Sequence, residues 1–333
     1  MNTTSKIFST LITTALALLA AAPAQAQDPS TGSGQAYPSR PIRMLVPFSA
    51  GSVTDFCARL LGQKMSERWG QQVVVDNRPS AGGIVASGML LAAAPDGYTL
   101  MLTSVGHAVN ASLYSKLPYD TVKDFAGITL VADVPTVLVV TPSLNLKSVK
   151  DLVALANSKP GQINYASAGV GSGAHMNAEQ FKLAAGINAV HVPFKGTPDA
   201  LASVISGSTQ FFFSPITGAA ALVKGGKIGA LAVSTKDRSP VLPDLPGAAE
   251  VGLPGFEFNL WTGLFGPARM PRDIKDKLAN EVARILGLPD VKERLQTQGA
   301  TGRPMPPREF DAFIRSEVER LAKVVKASGA KAD

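Results

Sequence analysis

The sequence predicts an α/β protein of two lobes, each built on a parallel-type sheet flanked by helices. Three observations predict it. Strand-like apolar runs alternate with helix-period segments in both halves of the chain, a pattern that demands parallel strands joined by right-handed crossovers. In each half, one such strand runs into a small-residue loop that opens a helix. Ile42–Phe48 leads into Ser49-Ala50-Gly51-Ser52, and Ile163–Ser167 leads into Ala168-Gly169-Val170-Gly171-Ser172-Gly173. The length of 333 residues suits about two domains.

In order, strand Ile42–Phe48 is followed by a helix from Asp55 to Trp69, with apolar residues at 56, 57, 60, 61, 65 and 69. Gly70 ends it. Strand Gln72–Asn77, a small-residue helix to Ala93 and strand Tyr98–Thr103 complete the first β-α-β-α-β series. Ser104–Tyr114 reads as a short helix and Leu117–Phe125 as irregular. The apolar stretch Ile128–Val140, interrupted by Asp133 and Pro135, reads as two strands meeting at a bend and as the first crossing between lobes. Helix Val149–Ser158 precedes the second loop-bearing strand, whose helix runs Ala174–Ala185. Strand Ala189–Phe194, loop Lys195–Asp199, helix Ala200–Ser206, strand Gln210–Ser214, helix Gly218–Lys224 and strand Ile228–Ser234 follow. Lys236–Phe256, rich in Pro and Gly, reads as loop. Strand Asn259–Pro267 reads as the return crossing. Helices Arg272–Leu286, Asp290–Gln298 and Pro307–Lys326 are expected outside lobe one, the last with the stripe Phe310, Phe313, Ile314, Val318, Leu321 and Val324.

The composition is ordinary and globular, with 45% apolar, 17% charged and 6% aromatic residues. The net charge of +7 is spread along helix faces and turns, with no basic block interleaved with aromatics, so nucleic acid is a poor partner. Met1–Ala26 has the form of a cleavable export signal: Lys6, a short apolar run and Ala24-Gln25-Ala26 as a small-x-small cleavage site. The mature chain would start at Gln27 in the periplasm, with 27–37 as a disordered leader, no direct membrane insertion and no lipid-bearing cysteine at the cleavage point. The one cysteine, Cys57, falls on a buried helix stripe and reads as a packed thiol.

A strand that ends in a Gly/Ser loop before a helix aims unpaired N–H groups and the positive end of the helix dipole at one spot, which suits an anion. The candidate ligand-binding residues are therefore Phe48, Ser49, Gly51, Ser52 and Thr54 in the first loop, and Ala168, Gly169 and Ser172 in the second. Asp55 reads as a holder of the first loop. Thr103 and Ser104 bring hydroxyls to a strand end. Lys195, with Gly196 and Thr197, is the one cation well placed at a strand end. His175 and Glu179 share a helix face four residues apart, as an acid–base or metal pair would. However, a metal needs three or four ligands, and His107 and His191 fall in unrelated contexts, so a pair that orients the loop is the better reading. Phe211, Phe212 and Phe213 are consecutive and must pack on both faces of a sheet. No nucleophile elbow, dinucleotide fingerprint, CxxC pair or HExxH stands in the chain, so neither an enzyme nor a metal or cofactor is expected.

Many spaced motifs resemble one family. They include Pro41-Ile42-Arg43, Val46-Pro47-Phe48, Thr54-Asp55, Asn77-Arg78-Pro79, Ala81-Gly82-Gly83, Ala94-Pro95-Asp96-Gly97-Tyr98-Thr99-Leu100 and Leu117-Pro118-Tyr119-Asp120. Further on come Asn164-Tyr165-Ala166-Ser167-Ala168-Gly169, His175…Glu179, His191-Val192-Pro193-Phe194-Lys195-Gly196, Ala230-Leu231-Ala232-Val233 and Gly252-Leu253-Pro254-Gly255. Across essentially the whole mature chain, the sequence is similar to the Bug-type solute-binding receptors of tripartite tricarboxylate transporters. The resemblance implies a two-lobe periplasmic binding protein of type II (cross-over) topology, with lobe 1 at 38–136 plus 260–333 and lobe 2 at 137–259. It implies hinge closure on a small organic acid, held largely by backbone N–H groups, hydroxyls and waters, and delivery to integral membrane subunits by a monomer. A sensor role beside a membrane kinase, and a periplasmic enzyme acting on a carboxylate, are the alternatives. The family's first loop usually carries a double glycine where this chain has Gly51-Ser52. In the second lobe, Ser214-Pro215 stands where the family often has an acidic or amide residue after the Phe, which weakens an amino-acid ligand and leaves Ser214 as the candidate contact.

Overall fold

Strand β1 (Ile42–Val46) is buried on both faces except at the half-buried Arg43, as a strand inside a parallel sheet is. In the computed structural model, which describes residues 37–253 and 256–332, β1 lies between β2 (Val73–Asn77) and β3 (Thr99–Ser104), parallel to both. The expected export signal, nearly all of the leader and Pro254-Gly255 lie outside the described residues. Helix α1 (Val53–Trp69) joins β1 to β2 and stops at Gly70, whose φ of 65° is the left-handed value glycine adopts freely. A 3-10 turn (Ala81–Gly83) and α2 (Ile84–Leu91) join β2 to β3, and α3 (Gly106–Leu113) follows β3.

The stretch expected to be two strands is one. Strand β4 runs unbroken from Phe125 to Val140, 16 residues, and belongs to both sheets. Its first part, Phe125–Pro135, pairs antiparallel with β9 (Asn259–Pro267), which also lies antiparallel beside β3. Its last part, Thr136–Val140, pairs antiparallel with β7 (Phe211–Pro215) and β8 (Gly229–Val233). Two register shifts against β9 absorb the irregularity, and Pro135 sits at the end of that ladder. Asp133 does not break the strand, because Arg303 Nη1 reaches its carboxylate at 3.0 Å. The sheets are therefore mixed, with parallel units inside each half and antiparallel joints where the chain crosses.

The second half adds α4 (Val149–Ser158), β5 (Ile163–Ser167), α5 (Gly173–Ala185), β6 (Ala189–Pro193), α6 (Thr197–Ser206) and α7 (Ile216–Lys224). Strand β5 runs parallel to both β6 and β7. Thr197 to Asp199, expected as loop, form the first turn of α6, because Pro198 is favourable at a helix start. A short helix, α8 (Ala248–Val251), interrupts the expected loop 236–256. Phe211 and Phe213 pack on one face of the sheet with Tyr165, Phe181 and Phe256, and Phe212 packs on the other with Val204 and Ile216.

The chain closes with α9 (Arg272–Gly287), α10 (Pro289–Thr297), the two-residue β10 (Thr301–Gly302) on β4, and α11 (Pro307–Ser328). Helix α11 does not stay with the first sheet. It lies against α3 and β4 and also against α5. At 22 residues it is about 33 Å long and can cover elements of both sheets. Its buried stripe is Phe310, Ile314, Glu317, Leu321 and Val325, and the expected Phe313, Val318 and Val324 are half-buried beside it. Glu317 is accommodated there by Trp261 Nε1, which donates to it at 2.8 Å, and by Arg320. Cys57 is buried, and burial pushes its thiol up to about 12.

Candidate ligand-binding site

The first loop carries its own anion. Ser52 caps α1, its Oγ accepting the Asp55 N–H at 3.2 Å. The buried Asp55 carboxylate accepts the Gly51 N–H at 2.9 Å, Arg59 Nε at 3.0 Å and Asn77 Nδ2 at 3.0 Å. Burial alone would raise this carboxyl, but those donors outweigh it and hold the group below its ordinary range. The Gly51 N–H, a candidate for the ligand, is thus spoken for. Thr54 is buried beneath the loop. Ser49 reaches the other half of the chain instead, where its hydroxyl donates to the Lys195 carbonyl at 3.0 Å. Gly196 lies so close that a Cβ there would stand 2.7 Å from Ser49 Oγ.

The second loop rests on a stack of aromatic rings. The Gly171 N–H donates to His175 Nδ1 at 3.2 Å, and the Gly169 N–H to Ser167 Oγ at 3.1 Å. Ser172 caps α5, accepting the His175 N–H at 3.2 Å. His191 is not in an unrelated context, as its spacing suggested. Its ring stacks on His175 with centroids 3.9 Å apart, and its Nε2 is 2.6 Å from Ser167 Oγ. Tyr165 stacks on His191 and donates its hydroxyl to Glu179, which also holds Lys182 Nζ at 2.8 Å. Burial depresses His175 to about 4, helped by Lys182, and depresses His191 to about 3, helped by His175, so both rings are neutral near pH 7. Glu179 lies 3.9 Å from His175 Nε2. Among the described residues, no group of three metal-ligating side chains forms.

Between these loops lies a niche of about 20 Å³, room for one water-sized group. Its walls are Pro47, Phe48, Ser80, Gly82, Gly83, Thr103, Gly106, His107 and the loop Ala168–Ser172. The starts of α2, α3 and α5 all come to it, and the first N–H groups of a helix have no acceptor within the helix. At the start of α2, Ser80 takes two N–H groups, its carbonyl accepting the Gly83 N–H at 3.0 Å and its Oγ the Val85 N–H at 3.2 Å. Cβ-free backbone makes the approach possible, since Gly106 would place a Cβ only 3.0 Å from the Gly171 carbonyl oxygen. The niche opens into a cleft of about 670 Å³. The two share Pro47, Ser80, Ala168, Gly169 and Val170, and the cleft continues past Pro79, Pro193 and Phe194 to Lys195 and Asp199.

Of the candidates from the sequence, Phe48, Thr103, Ala168, Gly169 and Ser172 line the niche, and Ala168, Gly169 and Lys195 line the cleft. Ser49 and Gly196 meet across its edge. Ser52, Asp55 and His175 hold the loops from behind. Ser104 sits at the end of β3 opposite Thr262. Ser214 is buried in β7 with its hydroxyl on the Pro215 carbonyl, and Thr197 is buried beside Gly218. Sequence reasoning missed Ser80, Gly82, Gly83, Gly106, Val170, Gly171, Phe194, Asp199 and three prolines, Pro47, Pro79 and Pro193, and it set His107 aside although that ring lines the niche. The glycines were the readable signal, because a third strand, β3, also ends in a Ser-Val-Gly turn before a helix.

A model of the tripartite tricarboxylate transporter family receptor matches residues 57–330. The chain belongs to that family. A Rhodopseudomonas palustris structure with adipate is 33% identical to this receptor, covers 89% of it and 99% of its own chain, and has a TM-score of 0.85. The periplasmic binding protein BugD is 32% identical over 89% of this receptor and 99% of its own chain, with a TM-score of 0.84. MatC from Rhodopseudomonas palustris, with bound malate, is 33% identical over 87% of this receptor and 100% of its own chain, at 0.82. The tripartite tricarboxylate transporter receptors are periplasmic solute-binding proteins, not enzymes. No helix among the described residues of this one is long and apolar enough to cross a membrane.

Proposed function

We propose that this receptor captures a small carboxylate between its two sheets and delivers it to the membrane subunits of a tripartite tricarboxylate transporter. The observation that carries the reading is the convergence of the starts of α3 and α5 on one niche at the base of the cleft. One carboxylate oxygen, or a water bridging to it, occupies the niche and takes N–H groups at the starts of α3 and α5, with the Thr103 hydroxyl beside them. Lys195 stands at the cleft wall, where it draws in an anion. Adipate and malate in two solved relatives support a carboxylate.

The ligand favours the closed arrangement by touching both sides of the cleft, while Ser49 on the Lys195 carbonyl latches its edge. The proposed lobes are 38–136 with 260–333, and 137–259, and the chain acts as a monomer. Met1–Ala26 directs export and is removed. A thermal-shift screen against organic acids, amino acids and neutral analogues tests the reading. A native-state ligand adds about 2.7 kcal/mol of stability at 100 times its dissociation constant. Stabilisation by acids supports the reading. A shift from neutral compounds only, with none from any acid, would end it.

A further inference from the structure

Resting on that reading, we infer that the ligand is a monocarboxylate with an apolar body, and that Asp199 turns away a second carboxylate. With one carboxylate at the niche, the remainder of the ligand lies in the 670 Å³ cleft. The walls there are mostly apolar, Pro47, Pro79, Val170, Pro193 and Phe194, and the one uncharged side-chain donor on them, Ser80, lies where the cleft meets the niche. The only charged side chains on the lining are Lys195 and Asp199, one of each sign. Both are exposed, and neither forms an ion pair among the described residues.

A distal carboxylate has little to gain here. It gives up water to enter an apolar cleft, and its one cation is an exposed lysine, a partner worth little in free energy. The start of α6 faces this region and would by itself favour an anion. Asp199, in the first turn of α6, already supplies that negative charge. Repulsion by a like charge is an effective way to reject a competitor that otherwise fits. An uncharged ring or branched chain meets no such penalty and fills the space between Phe194 and the prolines.

Hexanoate and adipate differ only in the second carboxylate, so calorimetric titration of the purified protein with each isolates it, with benzoate as an aromatic acid and hexanamide as the neutral analogue. Hexanoate is expected to bind about fivefold tighter than adipate at pH 7, a factor that one exposed like-charge contact can supply. Asp199→Asn should narrow that ratio by improving adipate alone, and Phe194→Ser should weaken hexanoate and benzoate. Tighter binding of adipate than of hexanoate, or a ratio that Asp199→Asn leaves unchanged, would overturn the inference while leaving the carboxylate reading intact. No heat from hexanoate and benzoate would likewise overturn the inference, whereas hexanamide binding as well as hexanoate would overturn the carboxylate reading itself.

Discussion

Replacing Gly106 with alanine should separate ligand affinity from fold stability. The first residue of α3 approaches the second loop so closely that an added Cβ would lie 3.0 Å from the Gly171 carbonyl oxygen and 3.9 Å from the Ser172 Cα. Both neighbours are backbone, so no side chain can swing aside, and the two sides of the cleft must part by a few tenths of an ångström. The backbone at Gly106 is ordinary helix, so alanine adds no conformational strain. Overpacking of this kind costs about 1–3 kcal/mol. In the closure proposed above this contact is made across the cleft, so the cost falls on the closed state and affinity should drop by roughly 5- to 150-fold. Stability without ligand should stay the same or rise slightly, since alanine favours helix over glycine. Calorimetric titration and urea unfolding on the same variant read the two quantities. Gly88→Ala in α2, where a Cβ meets nothing within 4 Å, is the control. Unchanged affinity in Gly106→Ala, or a loss of ligand-free stability in place of affinity, would refute the wedge argument.

Other perturbations have equally definite outcomes. Asp55→Ala removes the acceptor for Gly51, Arg59 and Asn77 and should lower unfolding free energy by about 3 kcal/mol in urea, the range for breaking a buried charge network. Ser49→Ala removes one bond across the cleft and should weaken ligand about fivefold, one neutral hydrogen bond's worth, with little change in ligand-free stability. Acid should destabilise the fold well above the carboxylate range. His107 and His175 stay neutral in the native state down to about 4, whereas the unfolded chain protonates them near 6.5. Their stabilisation is complete above pH 6.5 and lost as pH falls towards 4, about 2 kcal/mol for each between pH 7 and pH 5. His175→Gln should flatten part of that slope in a pH series of urea melts. Cys57 should resist thiol reagents at pH 8 until the protein unfolds, because its thiol is buried and held near 12.

Local patterns were legible and long-range pairings were not. The period-four stripe of α1, the alternating faces of Phe211 to Phe213 and the boundaries of α4 and β5 follow from short-range rules, and the structure has them. Strand β4 did not read as one element, because Asp133 and Pro135 look like interruptions until β9 and Arg303 are in place to accommodate them. Helix α11 showed its apolar stripe but not that the stripe is long enough to reach α5. At the site, a strand–loop–helix unit pointed to helix starts in general, but not to which of their N–H groups are already bonded. The first start is occupied by Asp55, a side chain whose reach across to Asn77 depends on β1 pairing with β2. The His175–His191 stack depends in the same way on the β5–β6 register, which places His191 beside Tyr165. Gly82 and Gly83, after β2, and Gly106, after β3, come together only when the two strand ends meet at one edge.

The most direct test of the central claim is a crystal structure with a bound acid such as hexanoate. A carboxylate oxygen should lie in the niche, within about 3.2 Å of an N–H at the start of α3 or α5 or of one water held there. The hydrocarbon should extend past Phe194 towards Asp199. A carboxylate paired with Lys195 at the mouth, with the hydrocarbon end at the niche, would contradict the account.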